Sequence, residues 1–290
     1  MVSGIFNIFK PPGMTSHDVI WRMRKITGIK KIGHAGTLDP DATGVLPVFT
    51  GEATRLIEYV SADDKCYRVQ VALGIKTSTG DDSGEIIERG EIPSMSLVQI
   101  ENVFSAFTGE ILQVPPMYSA IKHNGKKLYQ LAREGKSIER ESRRIFVNYI
   151  NLLYYCENYM ILQIDCSKGT YIRTLVEDLA QALGTVATVK FLLRVRSGIF
   201  NINDSCFLEE LTIEHTKFLL PLDTAIAHIT KLILSESQTR QFCHGMKIHF
   251  PHNKEGIVRL YSSEGIFLGM GDLVKGLLKP KKVFNNDRAV

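Results

Sequence analysis

The sequence has 290 residues, of which 44% are hydrophobic and 23% are charged, with a formal net charge of +4. These values are ordinary for a globular protein and exclude a low-complexity or highly charged disordered chain. No apolar run approaches the roughly 20 residues that span a bilayer. The first residues lack the pattern of a secretory signal. The five cysteines are widely spaced without a C-x-x-C pair, which favours reduced thiols and a cytoplasmic location.

The first predicted elements are a strand and a capped helix. Residues 4–9 form a short apolar run that ends at a Pro-Pro-Gly turn. Thr15 is followed three residues later by Asp18, which is the spacing of a capping box and predicts a helix over 19–27. The glycines and prolines of residues 33–47 then predict a tightly shaped loop.

Hydrophobic periodicity predicts the remaining elements. In chain order they are a strand over 45–50, a helix over 52–59, a strand over 66–73, helices over 96–107 and 126–133, strands over 145–155 and 159–166, a helix over 170–183, a strand over 186–196, and short β-like runs at 257–261, 266–270 and 273–277. Because helices and strands are mixed without regular βαβ alternation, we predict an α+β fold with a mixed, largely antiparallel sheet flanked by helices. The predicted domains are 1–228 and a small β-rich domain at 229–290.

Asp39 is the candidate functional centre of the loop at 33–47. This loop contains three glycines, two prolines, two carboxylates and a histidine, more special residues than an ordinary surface turn requires. Asp39 and Asp41 invite a glycosidase interpretation, but two carboxylates two residues apart in one loop are poorly placed to flank a sugar from both sides. A lone carboxylate can act as nucleophile or base at a sugar carbon if an arginine orients it.

Two other segments supply candidate partners for this carboxylate. Residues 165–173 predict a strand end, a glycine turn and a helix start that carries Tyr171 and Arg173. Tyr67 lies in a predicted strand among basic residues, a pattern typical either of sheet packing or of a platform on which a nucleobase stacks, at roughly 1–3 kcal/mol per base.

Basic and acidic residues are segregated along the chain. Five lysines and arginines and no acidic residue lie within 19–38, and eight lysines and arginines accompany three glutamates within 122–144. Acidic residues cluster instead within 81–91. This segregation is typical of a protein that presents one face to a polyanion such as nucleic acid, although a charge run is more often only a solvated surface.

The familiar cofactor and metal motifs are absent from the sequence. There is no phosphate-binding loop, dinucleotide fingerprint or H-E-x-x-H pattern. Cys243, His244, His249 and His252 do not have the spacing of a standard zinc site. We therefore predict neither a cofactor nor a metal.

Six ordered motifs are similar to those of one known family. They are KPPGMTS at 10–16, GHAGTLDP at 33–40, ATGVLP at 42–47, KCYRV at 65–69, GTYIRTL at 169–175 and RVRSG at 194–198. With them the sequence resembles the TruB family of tRNA pseudouridine synthases, which isomerise the uridine at position 55 in the TΨC loop of tRNA. Residues 278–285 also resemble the end of that family's C-terminal PUA-like RNA-binding domain.

The resemblance implies roles for seven residues and no cofactor. Asp39 would be the catalytic aspartate, Tyr67 would stack on the extruded uracil, and Arg173 would pair with Asp39 and lower its pKa. The other implied substrate-binding residues are Tyr171, Leu192, His34 and Lys10. Where the family commonly reads Leu-Arg-Arg, this chain reads Leu192-Leu193-Arg194, so either leucine could fill the apolar pocket position.

The resemblance also implies a reaction and a partner. Asp39 would act at the ribose, either by attacking C1′ or by removing the C2′ proton. The expected partner is the TΨC stem-loop of tRNA, bound by a monomer that requires no protein partner. Two alternatives remain at this stage: a non-catalytic RNA-binding or RNA-folding module, and a hydrolase of glycosidic bonds.

Overall fold

A computed structural model describes residues 2–60, 64–211, 215–251 and 253–284. Its helices are α1 (Ser16–Thr27), α2 (Ile57–Val60), α3 (Leu97–Ala106), α4 (Leu128–Arg133), α5 (Ile172–Ala182) and α6 (Glu236–Cys243). Short 3-10 helices cover Gly51–Leu56, Ile202–Asp204, His215–Phe218 and Thr224–Ile226. None of the described helices is long and apolar enough to cross a membrane.

The strands form one large sheet, one smaller sheet and two short hairpins. They are β1 (Gly4–Lys10), β2 (Ile32–His34), β3 (Thr43–Thr50), β4 (Lys65–Leu73), β5 (Ile75–Thr77), β6 (Ile86–Arg89), β7 (Gly109–Gln113), β8 (Lys122–His123), β9 (Lys126–Lys127), β10 (Arg143–Cys156), β11 (Tyr159–Cys166), β12 (Ala187–Ser197), β13 (Phe200–Asn201), β14 (Lys231–Ile233), β15 (Ile248–His249), β16 (Gly256–Tyr261), β17 (Phe267–Val274) and β18 (Leu277–Val283).

The large sheet brings distant parts of the chain together. Its order is β1-β3-β12-β4-β11-β10-β7, with β2 and β13 paired at its margins. Among the described strands of this sheet, only β12 and β3 pair in parallel; the other pairs are antiparallel. Helices α3 and α5 cover one face of β4, β10 and β11 through a buried apolar cluster. The predicted α+β fold with a largely antiparallel sheet flanked by helices is therefore confirmed.

Helix α1 shows how local sequence determines an element of this fold. Thr15 caps the helix and Asp18 returns the capping-box hydrogen bond. The buried face of the helix carries Val19, Ile20 and Met23, which pack against apolar side chains of β1 and β3. The helix ends at Gly28, which takes a left-handed φ of 70°. The predicted cap and the predicted end are both confirmed.

The C-terminal strands form the smaller sheet, in the order β14-β16-β17-β18-β15. This sheet packs on the rest of the chain through a shared apolar cluster to which Phe267, Met270 and Phe284 contribute. Arg55 reaches across the junction, donating to the Val283 carbonyl at 2.8 Å and lying 4.9 Å from the Phe284 ring centroid. The predicted β-rich C-terminal region therefore lies directly against the larger sheet.

Three predicted elements differ from the structure. The strand predicted over 273–277 is wrong, because Lys275 and Gly276 take left-handed φ values of 49° and 72° and form the turn between β17 and β18. The helix predicted over 126–133 begins only at Leu128, since residues 126–127 pair as β9 with β8. The predicted helix over 52–59 is a 3-10 helix followed by the short α2.

Gly44 allows strands β3 and β12 to approach each other closely where they pair in parallel. Its φ is +105°, and a Cβ atom there would lie 2.2 Å from the Arg194 carbonyl oxygen. We expect Gly44→Ala to lower the free energy of unfolding by about 3 kcal/mol or more, because both the backbone and the neighbouring strand must move. Urea denaturation measures this.

Gly109→Ala is the matched control for that substitution. Gly109 has a similar φ of +96°, but a Cβ atom there would meet nothing within 4 Å. Gly109→Ala should therefore lower the free energy of unfolding by only about 1–2 kcal/mol, which is the cost of a left-handed backbone conformation for alanine. Equal losses in the two variants would contradict the close-packing explanation.

Candidate active site

A pocket of about 290 Å³ opens where the Asp39 loop meets β4, β12 and the start of α5. Five of the predicted site residues line it: Asp39, Tyr67, Tyr171, Arg173 and Leu192. These residues come from positions between 39 and 192, and the pairing of β12 with both β3 and β4 is what brings them together. The pocket is also lined by Gly36, Thr37, Leu38, Lys65, Ser119, Ala120, Lys168, Gly169, Thr170, Ile172 and Arg194.

Arg173 organises the charges at the pocket. Its Nη2 lies 3.0 Å from Asp39 Oδ2, and its Nη1 lies 3.6 Å from Asp81 Oδ2. The same guanidinium donates to the backbone carbonyls of Thr79 at 2.7 Å and Tyr118 at 2.8 Å. Since only 6% of the Arg173 side chain is exposed, these four contacts hold it in one position and aim it at Asp39.

The pKa of Asp39 is raised, which the sequence did not predict. Burial of the carboxylate is the largest cause; Arg173 lowers the pKa, and the like charge of Asp81 raises it further. Although 43% of the Asp39 side chain is exposed, protein atoms surround the carboxylate closely enough for desolvation to exceed the effect of the arginine. The predicted lowering by Arg173 is therefore present but is not the dominant effect.

The apolar part of the pocket is formed by Tyr67 and Leu192. Tyr67 is 8% exposed, and burial raises the pKa of its hydroxyl. Leu192 pairs with Val69 and lines the pocket, whereas the next residue, Leu193, pairs with Arg68. Because successive residues of a strand point to opposite faces, the structure places Leu192 rather than Leu193 in the pocket.

Tyr171 is held by a residue that sequence reasoning missed. Gln113, at the end of β7, accepts from the Tyr171 backbone N–H at 2.8 Å and donates to the Tyr171 carbonyl at 3.1 Å. Gln113 is only 2% exposed, so this two-way contact fixes the start of α5, from which Arg173 projects. Burial raises the pKa of the Tyr171 hydroxyl.

Lys10 and His34 lie beside the pocket-lining residues. The Lys10 ammonium is fully buried and donates to the carbonyls of Pro11, Met14 and Pro40, the last at 2.8 Å. It thereby supports the backbone directly after Asp39, and burial lowers its pKa to about 8. Burial likewise lowers the pKa of His34 to about 4, so this ring is neutral at physiological pH.

Asp81 is the second site residue that the sequence did not identify. It lies in a polar loop and pairs with Nη1 of Arg173, whereas Asp39 pairs with Nη2. Its only sequence signal was membership of an acidic stretch, which gave no indication of a contact with residue 173. Within the described ranges, no group of three or more His, Cys, Asp or Glu side chains is placed to hold a metal. His252, which was considered above as a zinc ligand, lies outside the described residues.

Comparison with known proteins connects this geometry to a family. A family model described as TruB family pseudouridylate synthase, N-terminal domain, matches residues 24–172. Two further models match residues 173–227, as tRNA pseudouridylate synthase B C-terminal domain, and 230–284, as pseudouridine synthase II TruB C-terminal. The chain belongs to the TruB family of pseudouridine synthases. It is an enzyme whose substrate class is RNA, and the predicted family is confirmed.

Curated relatives match the chain over almost their full length. The tRNA pseudouridine synthase B of Caldanaerobacter subterraneus subsp. tengcongensis is 42% identical over 285 residues, covering 98% of this chain and 99% of the relative. The protein of the same name from Hydrogenovibrio crunogenus is 39% identical over 286 residues, covering 98% and 94%. The family assignment therefore extends from the N-terminal strand to the C-terminal sheet.

Solved structures share the fold of this TruB-family chain. A Cbf5-Nop10-Gar1 complex contains a chain that is 26% identical, with a TM-score of 0.76, covering 97% of this chain and 85% of that one. A chain of an H/ACA RNP bound to a substrate RNA containing 2′-deoxyuridine is 24% identical, with a TM-score of 0.77 and coverage of 99% and 86%. These matches include both sheets.

Proposed function

We propose that this chain isomerises uridine to pseudouridine at position 55 in the TΨC loop of tRNA, with the Asp39 carboxylate acting at the ribose. The observation that carries this proposal is the Asp39–Arg173 pair at 3.0 Å at the wall of a pocket lined by Tyr67, Tyr171 and Leu192. The relatives named tRNA pseudouridine synthase B support tRNA as the substrate.

The pocket residues suit an isomerisation that retains both sugar and base. The N1–C1′ bond breaks, the uracil turns, a C5–C1′ bond forms, and the C5 proton is lost while N1 gains one. The freed uracil must be held during this turn, which Tyr67 supports by stacking and Leu192 by apolar contact. The target uridine must first leave its base stack to reach the carboxylate at the pocket wall. Lys10 supports the loop through its hydrogen bond to the Pro40 carbonyl, and His34 lies near the place that the flipped base vacates.

The segment following the pocket offers a surface for the RNA backbone. Ser119 and Ala120 line the pocket, and the chain then exposes cations at Lys122, Lys126, Arg133, Lys136, Arg143 and Arg144. Lys168 is exposed at the pocket rim. Exposed lysines and arginines bind phosphates with release of counterions. The side-chain arrangement around the pocket therefore favours a folded RNA over a small-molecule substrate.

The affinity for tRNA is expected to fall steeply as the salt concentration rises. If Lys122 and Lys126 each contact one phosphate, replacing both with glutamine should reduce the slope of log K against log salt by about 2. Filter binding across a salt series measures this slope. The control is Lys217→Gln, which changes an exposed lysine outside residues 122–144 and outside the C-terminal sheet and should leave the slope unchanged. A slope unchanged by the Lys122 and Lys126 substitutions would contradict the proposed surface.

The pH dependence of the reaction should report the raised pKa of Asp39. Because the reaction uses the carboxylate, the single-turnover rate is expected to fall as the pH drops through a value above the ordinary range for an aspartate. Asp81→Asn removes a like charge that raises this pKa. The acidic limb of the pH–rate profile of Asp81→Asn should therefore lie at lower pH than that of the wild type. An unchanged limb would contradict the assignment of this limb to Asp39. A rate series between about pH 4 and pH 8 measures both profiles.

Mapping the product tests the proposed position. An unmodified tRNA transcript is incubated with the chain and pseudouridine is located at nucleotide resolution. We expect modification at position 55, none in a transcript with cytidine there, and modification of an isolated TΨC stem-loop. Pseudouridine confined to another position would overturn the proposed specificity while leaving the family assignment intact.

The C-terminal region is proposed as a separate PUA-like RNA-binding domain. The smaller sheet lies wholly between Lys231 and Val283, which supports the predicted boundary between 228 and 229. We further propose that the enzyme works as a monomer in the cytoplasm, without an obligate protein partner. Its five cysteines are free thiols, which is typical of a reducing compartment.

A further inference from the structure

Arg194 is the largest fully buried side chain of the chain's described part, with 1% of its surface exposed. It lies on β12, opposite Tyr67 of β4 in the sheet register, and lines the pocket. Burying a guanidinium costs free energy unless its donors are satisfied. The buried guanidinium of Arg194 therefore needs hydrogen-bond acceptors, and the acceptors that it binds indicate the function of this residue.

The hydrogen bonds of Arg194 end on the two sides of Asp39. Its Nε donates to the Val45 carbonyl at 2.7 Å, and its Nη2 donates to the Gly36 carbonyl at 2.9 Å. Gly36 lies three residues before Asp39 and Val45 six residues after it. One rigid, planar group therefore bridges both ends of the loop that carries the carboxylate.

Arg194 reaches these carbonyls through close backbone packing. Its own Cα pairs with Gly44 in the parallel contact between β12 and β3. At Gly36, a Cβ atom would lie 3.3 Å from Arg194 Nη1. Gly36 thus leaves room for the guanidinium of Arg194, and Gly44 leaves room for the backbone of β12. No carboxylate of the described residues lies within salt-bridge distance of Arg194. Two of its hydrogen bonds end on the loop backbone, and the guanidinium also interacts with the Tyr67 hydroxyl.

We propose that Arg194 is a positioning residue for pseudouridine formation, which holds the loop from Gly36 to Val45 so that Asp39 meets the ribose in one geometry. This inference rests on the proposed role of Asp39. Lysine cannot replace the arginine, because a single ammonium cannot span the Gly36 and Val45 carbonyls in the same way. A displacement of about 1 Å at a reacting group can cost roughly 100-fold in rate.

The test compares Arg194→Lys with Arg196→Lys, an arginine two residues further along β12 that pairs with Asp165 outside the pocket. Three quantities are measured: the single-turnover rate of pseudouridine formation, the Kd for tRNA, and hydrogen–deuterium exchange of residues 33–47. For Arg194→Lys we expect a rate at least ~10-fold lower, a Kd within about threefold of the wild-type value, and faster exchange in 33–47. Arg196→Lys should match the wild type in all three.

The exchange measurement separates this inference from the role of Asp39. Faster loop exchange with an unchanged rate would mean that Arg194 holds the loop but does not position Asp39 for the reaction, which would overturn the inference. The role of Asp39 itself would then fail only if Asp39→Asn kept its activity. Unchanged loop exchange would overturn the inference whatever happens to the rate, and so would equal effects of the two substitutions.

A second variant covers the case in which the lysine is misfolded. Arg194→Ala leaves space for a guanidinium ion, so millimolar guanidinium should restore at least ~5-fold of the lost rate. Guanidinium should not restore the rate of the Asp39→Asn variant. Absence of rescue in a folded Arg194→Ala protein would count against the inference.

Discussion

Asp39→Asn is expected to lower the single-turnover rate of pseudouridine formation by roughly 10³-fold or more, with tRNA still bound. Asparagine has nearly the same shape, and its carbonyl oxygen can still accept from Arg173 Nη2, which lies 3.0 Å from the present carboxylate oxygen. The change therefore removes the negative charge and the basic oxygen while preserving the packing. A quench-flow series on a tRNA transcript measures the rate, and filter binding measures the affinity.

Asp41→Asn is the matched control for that substitution. Asp41 is an exposed carboxylate two residues along the same loop, and it does not line the pocket. Its substitution should change the rate by less than about threefold, since surface charges contribute little. If both variants lost activity equally, the effect would belong to the loop as a whole, and the assignment of Asp39 would be wrong.

Arg173→Met is expected to reduce both activity and stability. The rate should fall by roughly 10²-fold or more, because Asp39 loses the group that orients it. Asp39, Asp81 and two backbone carbonyls would also lose their partner inside the protein. We expect the free energy of unfolding to fall by about 2–3 kcal/mol, less than the ~3–5 kcal/mol of a fully enclosed pair, because water reaches Asp39.

Arg173→Lys distinguishes charge from geometry. Lysine keeps the positive charge but cannot contact both carboxylates and both carbonyls at once, so its rate should lie between those of the wild type and Arg173→Met. Steady-state kinetics and urea denaturation of the two variants measure the rates and stabilities. Wild-type activity in Arg173→Met would contradict the proposed role of the pair.

Much of the fold could be predicted where the sequence has strong local signals. The capping box at Thr15, the alternation over residues 66–73 and the helical spacing over 96–107 each led to an element that the structure contains. Helix α6 was missed even though Ser235 and Gln238 form a capping box, because its sequence is mostly polar and lacks apolar periodicity. The 275–276 turn was missed because Leu273, Val274 and Leu277 give this segment the apolar content of a strand, although Lys275 and Gly276 interrupt it.

The site was only partly predictable, for a different physical reason. Asp39 could be found because its loop needs unusual backbone conformations, which glycine and proline show in the sequence. Asp81, Gln113 and Arg194 act through contacts with residues far away in the chain, and nothing local indicates such contacts. The raised pKa of Asp39 could not be predicted either, since its largest cause is burial and burial depends on the complete fold.

The position of Asp81 also bears on the hydrolase alternative. It is a second carboxylate near Asp39, but it binds Arg173 at 3.6 Å and does not line the pocket. A pair of carboxylates that flanks a glycosidic bond must face the substrate from both sides. Among the described residues that line the pocket, Asp39 has no second carboxylate facing it, which disfavours the hydrolase alternative.

The most direct test is a mass balance on tRNA labelled with tritium at C5 of uridine. An isomerase releases one tritium for each pseudouridine formed, because C5 becomes the atom bound to the ribose, and it releases no free uracil. We predict equal amounts of released tritium and pseudouridine with the wild-type chain, and neither product with Asp39→Asn. Free uracil accumulating in place of pseudouridine would contradict the proposed chemistry, and so would unimpaired turnover by Asp39→Asn.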